Sequence, residues 1–214
     1  MKLYYLAGSC ALAPHIALEH SGLAYEALRV ERGMQADARY LKVNPLGRVP
    51  ALVTPSHGTI TEVPAVLSYI ADMAPDRGLL PSVGTWARYE TLRWMAYLSS
   101  TMHPAFGRLW RAERFVNDAT HRGAVEQAAA TQLASDFAHV DNQLADRQWV
   151  AGNHFTVADL YLFVFGRWGM RRATSTKDFP NVFRHTSSIA NIPATLRAMS
   201  QQGIKFEGPK SGPG

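Results

Sequence analysis

Residues 44–66 read NPLGRVPALVTPSHGTITEVPAV, and the fold turns on how that stretch divides. Two short β-rich runs, residues 48–53 and 59–61, flank Ser56-His57-Gly58, a turn cluster of the kind that joins antiparallel strands into a hairpin. Pro50 has no N–H to give to a ladder. Val49-Pro50 therefore belongs at the beginning or edge of a strand, where the neighbouring backbone groups stay free for a ligand. Beyond the hairpin, Glu62 precedes Val63-Pro64, a proline suited to the first turn of a helix, and residues 65–73 read as helical. Free backbone, a helix N-terminus and a carboxylate converge within about fifteen residues.

Upstream, residues 3–6 read as a strand, Ala7-Gly8-Ser9 as a turn and residues 10–21 as a helix closed by Gly22, with Pro14 near its first turn. A second strand is expected at 25–30 and a weaker helix at 35–43, which gives the order βαβαββα. Downstream, PDRGLLPSVGT at 75–85 clusters proline and glycine without helical period and reads as a linker. Residues 86–110, 122–144 and 157–172 then carry apolar residues at helical spacing. Thr156-Val157-Ala158-Asp159 resembles a capping box, with Phe155 and Leu160 at staple positions, so Asp159 reads as a structural carboxylate and not a catalytic acid. The expected organisation is an α/β domain at 1–74, a linker at 75–85, an all-helical domain at 86–203 and a mobile Gly/Pro-rich tail at 204–214.

The chain has 214 residues, 47% of them hydrophobic and 18% charged, the balance of a globular protein with a sizeable core. Its one cysteine, Cys10, excludes an intrachain disulfide framework and a Cys-rich zinc site and favours a reducing compartment, hence a cytoplasmic location. No apolar run approaches a membrane span, and the N-terminal apolar stretch is broken by Gly8-Ser9. The net charge of +5 comes from scattered basic residues with no tract of five or more, which argues for a solvated basic surface and a small anionic ligand rather than nucleic acid. His15 and His20 frame Glu19 at the wrong spacing for a zinc site, no metal is expected, and there is no P-loop, dinucleotide fingerprint or nucleophile elbow.

Taken with MKLYYLAGSCALAPHIAL at the N-terminus and FTVADLYLF from Phe155, the 44–66 stretch resembles the cytosolic glutathione S-transferases, above all the bacterial beta class. The resemblance runs over nearly the whole chain. It implies a thioredoxin-like first domain, glutathione as co-substrate, a small hydrophobic electrophile as second substrate, a detoxifying role and a homodimer. It also implies that Val49, standing before a cis-proline at Pro50, lends its backbone to the cysteinyl part of glutathione.

Cys10 stands at the expected start of a helix, where the dipole would lower a thiol pKa, although free cysteine is as often an inert, buried apolar side chain. The resemblance favours a functional Cys10 able to form a mixed disulfide with glutathione. His103, Phe106 and Trp110 fall at i, i+3 and i+7, one helix face that fits either a core stripe or a site, while Pro104 kinks or restarts the helix. The resemblance puts His103 near the glutathione sulfur and Phe106 and Trp110 in the electrophile pocket. Glu62 is the expected partner of the γ-glutamyl ammonium, with Tyr5 and Ser9 as further polar candidates. Val63 replaces the serine or glycine that usually follows this acid, and Ala96 stands where relatives often carry asparagine. Both departures weaken the expected glutathione affinity. They also motivate an alternative, a non-catalytic interaction module on the same fold. The expected chemistry is conjugation of glutathione to an electrophile, or thiol–disulfide exchange or peroxide reduction.

Overall fold

The computed structural model describes residues 1–170 and 176–206. The chain runs β1 (Lys2–Tyr5), α1 (Leu12–Ser21), β2 (Glu26–Arg29), α2 (Ala38–Leu41), β3 (Ala51–Thr54), β4 (Gly58–Thr61) and α3 (Val63–Asp72). Helices alone follow: α4 (Trp86–Tyr97), α5 (His103–Trp110), α6 (Arg122–Gln143), α7 (Val157–Gly169), α8 (Pro180–Ala190) and α9 (Pro193–Gln202), joined by shorter helical turns. The βαβαββα order followed by helices is thus as the sequence indicates. The expected tail falls mostly at 207–214, and the expected end of the 157–172 helix within 171–175, both outside the described residues.

The sheet has the order β2-β1-β3-β4, with β1 parallel to β2 and antiparallel to β3. The β3–β4 hairpin pairs Ala51 with Thr61 and Thr54 with Gly58. Pro50 immediately precedes the first laddered residue of β3, as its missing N–H requires, so the strand begins three residues later than the β-rich run at 48–53. The loop ahead of it is pinned from within: the Arg48 carbonyl accepts from the Tyr40 hydroxyl at 2.5 Å and from Asn44 Nδ2 at 2.7 Å. Gly47 is demanded there twice over, by its φ of 59° and because a Cβ would stand 2.8 Å from the Gln35 carbonyl oxygen.

Two helices carry the core. In α1 the residues from Leu12 to Leu18 are all buried, because the helix lies between the sheet side and the helical layer, packed on α3, α7 and α9. Every residue of α7 is buried, Asp159 and Arg167 included. Gly166 marks its closest approach to α8, since a Cβ there would lie 2.1 Å from Thr186 Oγ1. Among the described residues no helix is long and apolar enough to cross a membrane.

The helix through Pro104 neither breaks nor kinks freely. Between α4 and α5 the chain takes a π turn at Leu98–Met102, in which the His103 N–H reaches back five residues to the Leu98 carbonyl. Proline cannot supply the hydrogen bond to the carbonyl four residues earlier and its ring crowds that carbonyl, and the wider turn accommodates both problems. The inserted residue also rotates everything downstream, which decides what α5 presents to the neighbouring cleft.

At the start of α7 the capping box is present. Asp159 accepts from the Thr156 N–H at 2.8 Å, the Thr156 hydroxyl at 3.1 Å and the Val150 N–H at 2.8 Å, and His185 Nε2 lies 2.9 Å from its other side with both side chains fully buried. Removing this carboxylate leaves four buried polar groups without a partner. Asp159→Ala is expected to lower stability by about 3–5 kcal/mol in urea unfolding, with Asp159→Asn recovering part of the loss because one carbonyl acceptor remains.

Candidate functional site

A cleft of about 940 Å³ opens between the loops preceding β3 and α3 on one side and the π turn with α5 on the other. Val49, Pro50, Glu62 and Val63 line the first wall, Ser99, His103 and Pro104 the second, and Cys10 and Tyr161 lie at its base. A shallower depression of about 460 Å³ beside Met1, Tyr25 and Pro55 offers Lys2 and Glu26, paired with each other at 3.7 Å, and no nucleophile.

The first wall presents backbone. The Val49-Pro50 peptide is cis. The Val49 carbonyl accepts from Cys10 Sγ at 3.4 Å, whereas the Val49 N–H has no partner among the described residues and remains available. Glu62 has φ 63°, a left-handed conformation that a non-glycine residue holds only under constraint, and its exposed carboxylate makes no hydrogen bond or ion pair among the described residues. It caps α3, whose first N–H groups have no intrahelical acceptor. Val63 is 4% exposed and packs in the core, so only its backbone faces the cleft, and Pro64 next to it has no N–H to add.

The second wall presents neutral donors. His103 Nδ1 lies 3.1 Å from the Tyr161 hydroxyl. Burial, with the Arg48 guanidinium nearby, pulls the His103 pKa down to about 4, so its ring is neutral at physiological pH. Burial pushes the Tyr161 phenol well above its ordinary range, helped by the field of Cys10 and Glu62, so it keeps its proton. Tyr161 comes from α7, in the middle of the FTVADLYLF stretch. Its hydroxyl within the apolar run LYLFVF is the one sequence signal that marks it.

Four expectations need correction. Cys10 precedes α1, which begins at Leu12, and burial pushes its thiol up to about 12, outweighing the downward pull of the Cys10 and Ala11 N–H groups. The dipole argument fails because desolvating a thiolate costs more than two backbone donors return. Phe106 and Trp110 do not line the cleft. The α5 positions that do are His103, Pro104 and Gly107, with Arg111 just past the helix end, while Phe106 is 2% exposed between Phe165 and Trp168, and Trp110 packs edge-on against Trp168 at 4.8 Å. Tyr5 points away from the cleft, donating to the Gln201 carbonyl and stacking near His15. Ser9 turns its hydroxyl back to accept from the Ala11 N–H at 3.2 Å and is likewise absent from the lining. In their place the cleft gains Asn44, Ser99, Tyr161 and four arginines, Arg32, Arg48, Arg111 and Arg114.

Comparison with known proteins bears on the family and the fold. Residues 7–73 match the model of the glutathione S-transferase N-terminal domain and residues 93–193 that of the C-terminal domain. The chain is 32% identical to glutathione S-transferase GstA of Escherichia coli O157:H7 over 96% of its own length and all of that protein. Among solved structures it resembles a sphingomonad glutathione S-transferase complexed with glutathione, at 38% identity and TM-score 0.87, covering 95% of this chain and 100% of the other. A bacterial beta-class enzyme of Sphingomonas chungbukensis matches at 36% identity with the same TM-score and coverage.

The thiol environment gives a direct test. With a pKa near 12, only about one Cys10 in ten thousand is thiolate at pH 8, so native protein is expected to react with a thiol reagent orders of magnitude more slowly than urea-unfolded protein, read by mass spectrometry. The His103 ring gives a second. Its pKa in the fold lies below the unfolded value, so the unfolded chain binds the extra proton first, and stability present above pH 6.5 is lost as pH falls toward 4. His103→Gln is expected to flatten the slope of stability against pH in that window relative to the wild type.

Proposed function

The chain belongs to the glutathione S-transferase family, and we propose that it joins glutathione to small electrophiles in the cleft at Val49, Glu62 and His103. What supports this most is one juxtaposition: an unpartnered carboxylate at a helix N-terminus, a free peptide N–H, and a hydrogen-bonded pair of neutral side chains with one hydrogen to spare, all within one cleft.

Each part of glutathione has a counterpart. The Glu62 carboxylate suits the γ-glutamyl ammonium, and the Val63 N–H at the start of α3 suits its carboxylate. The Val49 N–H takes the cysteinyl carbonyl. Arg32 and Arg48 lie on the side where the glycyl carboxylate would extend. The sulfur then falls toward His103, Tyr161 and Cys10. In the reaction the glutathione thiol gives its proton to solvent, the sulfur bonds to the electrophilic carbon, and the leaving group departs with the electron pair of the bond that breaks. Donors that are neutral and stay protonated lower the thiol pKa without forming a fixed ion pair, and so favour the thiolate that attacks. Cys10 enters this scheme by donating its S–H to the Val49 carbonyl at the cleft base rather than as a nucleophile, and a reaction through a Cys10 mixed disulfide is the less supported course. With family relatives that are transferases by name over the full length, the enzyme reading stands above that of a non-catalytic module.

A homodimer accompanies this reading. Trp86 and Tyr89 stand 76% and 56% exposed on α4, with Val83 just before it, large apolar side chains that a second copy would cover. Sedimentation at micromolar concentration is expected to give twice the chain mass. A cytoplasmic site of action agrees with the single cysteine.

Titration calorimetry tests the cleft. Wild-type protein is expected to bind glutathione, and Glu62→Gln, which keeps the shape and removes the charge, to weaken binding at least about tenfold. An unchanged affinity would place the γ-glutamyl end elsewhere; no binding by the wild type, with no glutathione-dependent turnover of a chlorodinitrobenzene, would remove the reading.

A further inference from the structure

Resting on the glutathione reading above, we infer that the second substrate is itself an anion, a small electrophile bearing a carboxylate, which Arg111 and Arg114 hold at the α5 end of the cleft.

The aromatic rings that the helix face offers on paper are spent on the core. Phe106 and Trp110 pack with Phe165 and Trp168, and the side turned to the cleft is His103, Pro104 and Gly107 of α5, continued by Arg111 at its C-terminal end. Gly107 leaves that wall open, since a Cβ there would meet nothing within 4 Å, and the next cleft-facing position along the helix is a guanidinium. The three arginines spaced by three are sorted by their surroundings. Arg108 lies over the Phe115 ring at 5.6 Å, whereas Arg111 and Arg114 line the cleft. Glu113 sits 3.9 Å from Arg111, but both side chains are nearly half exposed, and such a pair holds the guanidinium weakly.

Charge accounting points the same way. Among the described residues the cleft is lined by four arginines and one carboxylate, Glu62. Glutathione brings two carboxylates and one ammonium. Its ammonium pairs with Glu62, one carboxylate goes to the α3 N-terminus and the other to the Arg32 and Arg48 side. Arg111, with only the solvated Glu113 beside it, and Arg114 are then left without a counter-charge inside the cleft, on the wall the second substrate would approach. A planar guanidinium fork matches a carboxylate in two hydrogen bonds, and a cationic cleft mouth concentrates anions before they bind.

The test compares two glutathione conjugates by calorimetry, one made from chlorodinitrobenzene and one from the matching chlorodinitrobenzoate, which differ by a single carboxylate. Wild-type protein is expected to bind the carboxylated conjugate at least about tenfold tighter, the size of one charge-assisted hydrogen bond. Arg111→Gln with Arg114→Gln is expected to bring that preference to within about twofold of unity, and the corresponding pair of lysine substitutions to retain much of it. In the wild type alone, raising the salt should shrink the preference, a reading that holds even if a variant fails to fold. Equal affinities in the wild type, or a preference that survives both glutamine substitutions, would overturn the inference while leaving the glutathione site intact. If glutathione itself does not bind, the site reading falls and this falls with it.

Discussion

The backbone of Gly8 ties the sheet side of the molecule to its helical layer. Its N–H donates to Gln202 Oε1 at 2.9 Å, and its carbonyl accepts from Arg167 Nη2 at 2.7 Å and Trp168 Nε1 at 2.9 Å. One residue between β1 and α1 is thus held by α7 and α9 at once. It fixes the turn that delivers Cys10 to the cleft base and sets how the sheet side faces the helical layer. Gln202 does double duty, because its Nε2 also lies 3.0 Å from His15 Nδ1, while His15 Nε2 lies 2.7 Å from Gln201 Oε1. One ring nitrogen accepts and the other donates, which is the bonding of a neutral imidazole, and burial lowers the His15 pKa accordingly. The clamp therefore relies on that histidine staying uncharged.

The same preference for neutral groups in the interior governs the cleft. Around the expected sulfur position, Cys10, His103 and Tyr161 are all held by burial in their uncharged forms. Cys10 spends its S–H on the Val49 carbonyl, and the His103–Tyr161 pair keeps one hydrogen that, in the proposed scheme, goes to a developing thiolate without the desolvation cost of a fixed cation. The formal charges stand at the margin, where Glu62 is exposed and the arginines reach solvent. Chemistry at a neutral base and recognition at a charged rim are separate parts of one cleft.

This division explains which parts of the molecule were legible in the sequence. Pro50 and the Thr156–Asp159 box announce themselves, because each imposes a local backbone requirement that no tertiary contact can waive. The strand and helix order follows from such punctuation. The position of Glu62 at the start of α3 is legible in the same way, from its place before Val63-Pro64. Side-chain direction was another matter. The stripe of His103, Phe106 and Trp110 divides: His103 at the helix start lines the cleft, while Phe106 and Trp110 face the core, and the π turn at Leu98–Met102 that orients the helix is invisible to a period of 3.6. Cys10 was misjudged for a related reason, since the distance from a helix start is local information and the depth of burial is not.

The substitutions first read as losses take on a different sense in this setting. Val63 lacks the hydroxyl its position often carries, yet its side chain is core and it helps seat α3 beneath the exposed Glu62. Ala96 lacks an amide, yet the inserted residue of the π turn places Ser99 on the cleft wall, its hydroxyl bonded to the Ala96 carbonyl at 3.0 Å. What the chain gives up in neutral polar side chains around the peptide it regains as guanidinium groups, four where one would answer the glycyl carboxylate. A cleft built in this way draws its affinity more from long-range attraction than from close polar fit. Its binding should therefore depend on ionic strength to a degree that a cleft closed by hydroxyl and amide groups would not.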